Sequence, residues 1–438
     1  MNAADTEQMA SLLAEAGHKA ASSIVDADLV ILNGCEVRDK AVHKMLSSLG
    51  KLKVKGAEKK QMVGIGGCVG SIKGRSLFAK NPHVDFVFGT DTIAQLPELV
   101  HRVGAGERHV VFNAFDNKDD YEIETKVFTK SASAFVNIMK GCDKFCSYCI
   151  VPYTRGREKS RPHLDIVKDI ERLLVFGVKE ITLLGQNVNS YGKGRGPGGL
   201  DTSFPELLRS VDALKTKGLR RLRYTSSHPL DFSDELIACY GELETLCPHL
   251  HLPVQSGSDA VLQKMHRHYK IERYYEQIAK WRSRCPEGGL TTDIIVGFPT
   301  ETDEDFEATM KLAEDMRFDS AYAFAYSPRP GTKAVKLVDN VPAAVKNERL
   351  VKFQRFVVDL ALTKNQKWVG RTVEVLVEGP VKALESSPSA LMWRGRSGTN
   401  HVVNFPYEGP RDLSGQLVDL RITKATGLAM MAELPVLH

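Results

Sequence analysis

No run of about eighteen apolar residues occurs in the 438-residue chain, so no membrane-spanning helix is expected. The first residues, Met1-Asn-Ala-Ala-Asp-Thr-Glu7, carry acid and lack the basic-then-apolar order of a secretory leader; a cytoplasmic location is expected. Cysteine is sparse, eight residues in all, and three of the eight fall between positions 142 and 149. That distribution suits a reducing compartment and argues against a disulfide scaffold. Neither sign of charge dominates. The 59 basic and 54 acidic residues leave +5, which permits a nucleic-acid partner without arguing for one, because such binders concentrate charge in patches. There is no internal repeat and no extended low-complexity segment. What remains is a chain of two or three domains, 42% hydrophobic, able to bury sizeable cores.

The most informative feature present is Gly141-Cys-Asp-Lys-Phe-Cys-Ser-Tyr-Cys-Ile150. Cys142, Cys146 and Cys149 stand in a Cys-x3-Cys-x2-Cys spacing. Thiolates are the usual ligands of a cuboidal iron–sulfur cluster, which presents four irons. Three close thiolates hold three corners and leave one iron open, and an open position separates a reactive metal centre from a structural one. The spacing, with an aromatic before the last cysteine, resembles the signature of radical S-adenosylmethionine (SAM) enzymes. A zinc site is the main competitor, but zinc usually takes four Cys or His ligands, often as two Cys-x2-4-Cys pairs. No second pair follows, and His163 has no partner at ligand spacing.

Segments 28–33, 61–65 and 84–88 read as strands, alternating with helices at 40–49 and 93–103. Alternation of this kind predicts a parallel α/β sheet within residues 1–110. Residues from about 104 to 127 are acidic and rich in hydroxyl groups, and read as a linker. Strand patterns then recur at 134–139, 180–184, 222–225, 249–252, 290–296 and 321–326, with helices such as 166–176 and 304–316 between them. Six βα units predict an open, partial TIM-type (β/α)6 barrel over 128–360, its reactive groups at the C-terminal ends of the strands. A basic amphipathic helix at 346–362 leads to short strands at 373–377, 391–394, 401–405 and 416–421. Short strands so closely spaced predict a small β-barrel over 366–432.

Other motifs carry competing readings. Cys35 and Cys68 each follow an apolar strand and a glycine, in Leu32-Asn-Gly-Cys35 and Ile65-Gly-Gly-Cys68, so both thiols should emerge at one sheet edge, where parallel sheets place ligands. From the residues alone a buried inert thiol is the better reading; the glycines favour close approach of a bulky cofactor only weakly. Pro152 to Arg161 carries Arg155, Arg157, Lys159 and Arg161, which would attract phosphates or form a solvated helix start. Gln186, Asn187 and Asn189 offer amides to a ribose or an adenine edge, or make an ordinary turn. His228, His249, His251, His266 and His268 lack ligand spacing, and Cys239, Cys247 and Cys285 read as core thiols.

Met139 to Pro162 and Leu184-Gly-Gln-Asn-Val-Asn-Ser-Tyr-Gly192, with Gly395-Arg-Ser and Val402-Val-Asn-Phe405 near the end, make the chain resemble the radical SAM methylthiotransferases along nearly its whole length. The resemblance is closest to the branch that acts on N6-isopentenyladenosine beside the tRNA anticodon. It implies an N-terminal methylthiotransferase domain, a radical SAM core and a C-terminal RNA-binding TRAM domain. It also implies two 4Fe–4S clusters: one on Cys142, Cys146 and Cys149, and an auxiliary one in which Cys35 and Cys68 match the second and third ligands. The family's first auxiliary ligand lies in a Gly-Cys-Gln-Met-Asn segment that ends where this chain starts, at Met1-Asn2, and a start site assigned too far downstream is the expectation. Similarity further suggests that Tyr148 packs by the SAM adenine, that Gln186 and Asn187 bind the cofactor, and that Gly297 closes one side of its pocket. The implied activity is transfer of a methylthio group to C2 of adenine through a deoxyadenosyl radical. The alternative is the same chemistry on threonylcarbamoyl-adenosine or a ribosomal protein. The expected partners are the tRNA anticodon arm, a low-potential electron donor and a sulfur donor; a monomer is expected.

Overall fold

Near-continuous apolar segments build the first sheet of the computed structural model, which describes residues 1–36, 39–55, 61–114, 131–193, 202–381 and 391–434. Strands β1 (Leu29–Asn33), β2 (Met62–Gly66), β3 (Phe86–Phe88) and β4 (Val110–Phe112) lie side by side in that order, all parallel. Strands of this composition need cover on both faces. Met45 and Leu49 of helix 39–55 pack on Val30, Ile65 and Val87, and Met9, Leu96 and Leu99 pack on Phe86 and Phe88. The fourth strand corrects the linker reading. Val110-Val-Phe112 is short but apolar, and it pairs with β3 residue for residue; residues 115–127 of that stretch lie outside the described ones.

The middle of the chain forms β5 (Ser133–Asn137), β6 (Met139–Lys140), β7 (Lys159–Ser160), β8 (Glu180–Leu184), β9 (Arg221–Tyr224), β10 (His249–His251), β11 (Gly289–Val296) and β12 (Ser320–Ala325). Two parallel three-stranded sheets result, β5-β8-β9 and β10-β11-β12. They meet where Leu222 N–H donates to the Thr245 carbonyl at 2.7 Å and Cys247 N–H donates to the Leu222 carbonyl at 2.9 Å. Among the described residues β5 and β12 pair on one side only, so the six long strands form an open barrel, as the six βα units predict. Outer helices include 163–175, 271–284 and 303–316. The last starts at a capping box, in which Thr302 Oγ1 accepts from Asp305 N–H at 3.2 Å, as expected of such an N-terminus.

Alternation along each strand separates two environments. One face carries Val136, Ile181, Leu183, Leu222, Leu250, Leu290 and Ile294 into the main core against the helices. The opposite face carries Phe135, Thr182, Arg223, His251, Thr291 and Tyr322, which line a cavity of about 410 Å³. A closed TIM barrel fills that space with branched apolar side chains; this one lines it with Thr182, Arg223, His251 and Thr291 beside the aromatic rings of Phe135 and Tyr322.

Residues 372–433 form a closed barrel of β13 (Thr372–Val381), β14 (Met392–Ser397), β15 (Val402–Pro406), β16 (Leu417–Ala425) and β17 (Met430–Glu433), in the order β13-β14-β15-β17-β16. The sequence pattern predicts four of these strands; the fifth, β17, completes closure by pairing parallel with β15 and antiparallel with β16. Its β14–β15 turn plugs the base of the open barrel. Arg223 donates to the Ser397 and Gly398 carbonyls at 2.7 and 2.9 Å, and Arg221 to the Arg396 carbonyl at 2.7 Å. Among the described residues no helix is long and apolar enough to cross a membrane.

Candidate metal centre

The strand expected over 134–139 breaks at Ile138, and the break shapes the site. Past it, β6 turns into a two-residue antiparallel ribbon with β7, clasping the ends of the loop that carries the cysteines. Gly141 enters the loop at φ +77°, and a Cβ there would strike the Arg157 carbonyl. Gln186 Oε1 accepts from Gly141 N–H at 2.5 Å, tying the loop to the end of β8. Cys149 N–H donates to the Cys146 carbonyl at 3.0 Å. Ser147 anchors the far side: its N–H donates to the Met265 carbonyl at 2.9 Å and its hydroxyl to the Lys264 carbonyl at 2.7 Å.

Cys146 is buried, and Cys142 and Cys149 are half-buried. Burial pushes the Cys142 thiol up to about 12 and Cys149 higher still, so bound iron would have to supply the charge that ionises them. A cuboidal cluster takes each thiolate on a different iron, so a loop that carries three thiols suits one.

Around the triad lies a set of buried polar atoms with no hydrogen-bond partner among the described residues: Gln186 Nε2, Asn187 Oδ1, Glu158 Oε1, Ser227 Oγ and His228 Nε2. Buried polar groups are nearly always bonded, so this constellation fits a polar ligand. The groups are held in place. Asn187 donates to Asp231 at 2.8 Å, Lys144 pairs with Asp231 at 2.7 Å, and Ser190 donates to Glu158 at 2.7 Å. Burial lifts the Glu158 carboxyl to about 7 against that hydrogen bond. His228 Nδ1 accepts from Leu230 N–H at 3.2 Å, which leaves the proton on Nε2, and burial holds the ring neutral. Left-handed backbone at Phe145 and Ser226 marks the loops that carry the triad and His228, a common location for strain at functional sites.

Each sequence-predicted residue has a definite place. Gln186 and Asn187 stand beside the triad. Tyr148 packs against Met265, Phe298 and Tyr326. Gly297 has a φ of +66° and faces Lys346, with its N–H donating to Glu301 at 2.7 Å; its nearest neighbours are structural. Cys35 and Cys68 follow the adjacent parallel strands β1 and β2. Burial raises the Cys68 thiol while the Arg155 guanidinium opposes it. The glycines beside them are filled by the protein itself: a Cβ at Gly34 would meet Met45 and Val69, and one at Gly66 would meet Phe88. The cationic run is corrected. Arg155 is buried on Asp5 at 2.5 Å and Arg161 on Asp169 at 2.8 Å, so these two charges brace the fold; Arg157 is the exposed one, paired with Asp143. Sequence reading missed Arg267, Glu158 and His228 as site residues. Their signal is tertiary, since each comes from a different loop.

The Radical SAM superfamily matches residues 136–313, and Uncharacterized protein family UPF0004 matches residues 1–89. The chain is 43% identical over 437 residues to a tRNA-2-methylthio-N(6)-dimethylallyladenosine synthase of Geobacter metallireducens, spanning 100% of this chain and 96% of that one. The enzyme of the same name from Bdellovibrio bacteriovorus is 43% identical over 99% of this chain and 93% of its own. That from Bacillus anthracis is 44% identical over 99% and 84%. Among solved structures, the radical S-adenosylmethionine methyltransferase TsrM from Kitasatospora setae, with cobalamin and a 4Fe–4S cluster bound, superposes with a TM-score of 0.52 over 74% of this chain and 65% of that one. At 14% identity that likeness is one of fold.

Proposed function

Since the chain belongs to the radical SAM family of tRNA-2-methylthio-N(6)-dimethylallyladenosine synthases, we propose that it adds a methylthio group to C2 of N6-isopentenyladenosine beside the anticodon of tRNA. The observation that carries this reading is the cysteine loop, pinned at the C-terminal end of β5 above a polar chamber, in a chain matched along its whole length by those relatives.

In this reading Cys142, Cys146 and Cys149 hold one cluster, and Cys35 and Cys68 contribute to an auxiliary one. When bound, the cluster and SAM supply a deoxyadenosyl radical able to take hydrogen from an adenine C–H bond that no protein acid or base could activate. The protein's share is placement. Gln186 holds the loop, Tyr148 offers an aromatic wall for the SAM adenine, and Asn187, Glu158, Ser227 and His228 present donors and acceptors to the bound ligands. The substrate base has to leave its stack to be reached. The face lined by Thr182, His251, Thr291 and Tyr322 offers it hydrogen bonds and an aromatic edge. The five-stranded barrel would grip the RNA beside that chamber. A low-potential electron donor and a sulfur donor complete the requirements.

Anaerobic reconstitution tests the cluster count: about eight irons per chain for two clusters, about four for one. Cys146→Ala should abolish formation of deoxyadenosine while tRNA binding persists. Undiminished deoxyadenosine would overturn the assignment, and mass spectrometry of the tRNA product identifies the modified nucleoside.

A further inference from the structure

Cations surround the cysteine loop, and several have an acidic partner: Arg155 with Asp5, Arg157 with Asp143, Lys140 with Asp91, and Lys144 with Asp231. Arg267 is different. It is only 3% exposed, and among the described residues no carboxylate pairs with it. Its Nη1 donates to Cys146 Sγ at 3.6 Å, its Nη2 to the Pro253 carbonyl at 2.5 Å, and its Nε to the Tyr269 hydroxyl at 3.3 Å. The guanidinium carbon also lies 5.4 Å from the centre of the Tyr269 ring.

A guanidinium keeps its proton at any working pH, so a full positive charge sits in this interior. Burying a charge without a counter-charge is costly, and thiols, a phenol and a carbonyl do not neutralise it. A 4Fe–4S cluster on three thiolates does: a 2+ iron–sulfide core and three thiolates sum to one negative charge. One electron from a low-potential donor makes that two, with no bond broken in the protein and no proton taken up by Arg267.

We propose that Arg267 is a positioning residue for the radical SAM cluster, which fixes Cys146 and raises the cluster's reduction potential by stabilising the more negative reduced form. This rests on the reading of the triad as that cluster. The direction follows from charge: a buried cation in contact with a ligand sulfur favours whichever redox state carries more negative charge. It also explains a cation placed at Cys146, the most buried of the three.

The test uses the full chain with Cys35→Ala and Cys68→Ala, so that only the triad's cluster gives a signal. Arg267→Met and Arg267→Lys are compared with Arg267 in this background by iron content and by electron paramagnetic resonance of samples poised at defined potentials. Arg267→Met should retain its iron and show a reduced-to-oxidised ratio about tenfold lower at a given potential, equivalent to a midpoint ~59 mV more negative. Arg267→Lys, which keeps the charge, should stay near the parent. An Arg267→Met protein with bound cluster and unchanged midpoint overturns the proposal. If Arg267→Met holds no iron, Arg267→Lys decides: a parent-like midpoint supports the charge argument and a midpoint shifted fully negative refutes it. Absence of SAM cleavage by the unmodified chain would sink the proposed function and leave the effect of Arg267 on the potential to be judged separately.

Discussion

Replacing Arg223 with Met should loosen the terminal barrel from the core. Arg223 and Glu180 pair at 2.9 Å with side chains 7% and 8% exposed, and the same guanidinium holds the Ser397 and Gly398 carbonyls. Methionine keeps most of the volume but strands a buried carboxylate and two carbonyls. Removing one partner of a buried pair costs about 3–5 kcal/mol. Glu180 borders the 410 Å³ cavity, so water can reach the stranded carboxylate and should lower that to about 2–3 kcal/mol. Arg221 and the Asp319–His401 contact remain, so the barrel should loosen without detaching. Trp368 and Trp393 belong to the terminal barrel's apolar cluster and Trp281 to the core's, and tryptophan fluorescence in urea can follow both. The terminal-barrel transition should fall by about 1–2 M urea. Adding Glu180→Gln removes the stranded charge and should recover part of the loss. If Arg223→Met unfolds within about 0.5 kcal/mol of the parent, the scale of a neutral surface change, Arg223 does not dock the two barrels.

Asp319 gives a pH prediction. Burial would raise its carboxyl, but His401 and Lys364 outweigh burial and hold it at about 2. A depressed carboxylate stabilises the fold above its unfolded value near 4, and that contribution fades as pH falls toward 2. It should amount to about 2 kcal/mol, so unfolding curves at pH 5 and pH 3 should converge more for Asp319→Asn than for the parent. Gly141→Ala should lower iron retention at the triad, because the new Cβ meets the Arg157 carbonyl; wild-type iron content would contradict the loop geometry. Asn187→Ala should leave iron intact and weaken SAM binding by about tenfold, the value of one buried hydrogen bond near 1.4 kcal/mol, as measured by calorimetry.

How legible each part was follows from the range of the forces involved. Local periodicity marks the long strands well: the pattern at 290–296 matches β11 to within a residue, and Thr302 is recognisable as an N-cap from its acidic first turn. Shorter elements escape. Val110–Phe112 is hidden because an acidic tract follows it. The run from Arg155 to Arg161 misleads for another reason. Charge reads as solvated until its partners are known, and Asp5 lies 150 residues from Arg155 in sequence. The cysteine spacing is legible because a loop ligand set is itself local. The residues around it, Glu158, His228 and Arg267, come together only when β7, β9 and β10 have been placed.

The polar inner face of the open barrel links stability to function. A closed TIM barrel has two apolar layers, one among its strands and one beneath its helices. Here the first layer is replaced by Thr182, Arg223, His251 and Thr291, so the second, centred on Ile181, Leu183, Leu222 and Trp281, must hold the strands alone. The opening between β5 and β12 is then a requirement of the chemistry, because a chamber packed shut could admit no base. Phe135 and Tyr322 stand on those two edge strands, 41% and 51% exposed, where a splayed base would first meet aromatic surface. A strand of five residues spans about 17 Å, which sets the distance from the plug at the base to the cysteine loop at the top.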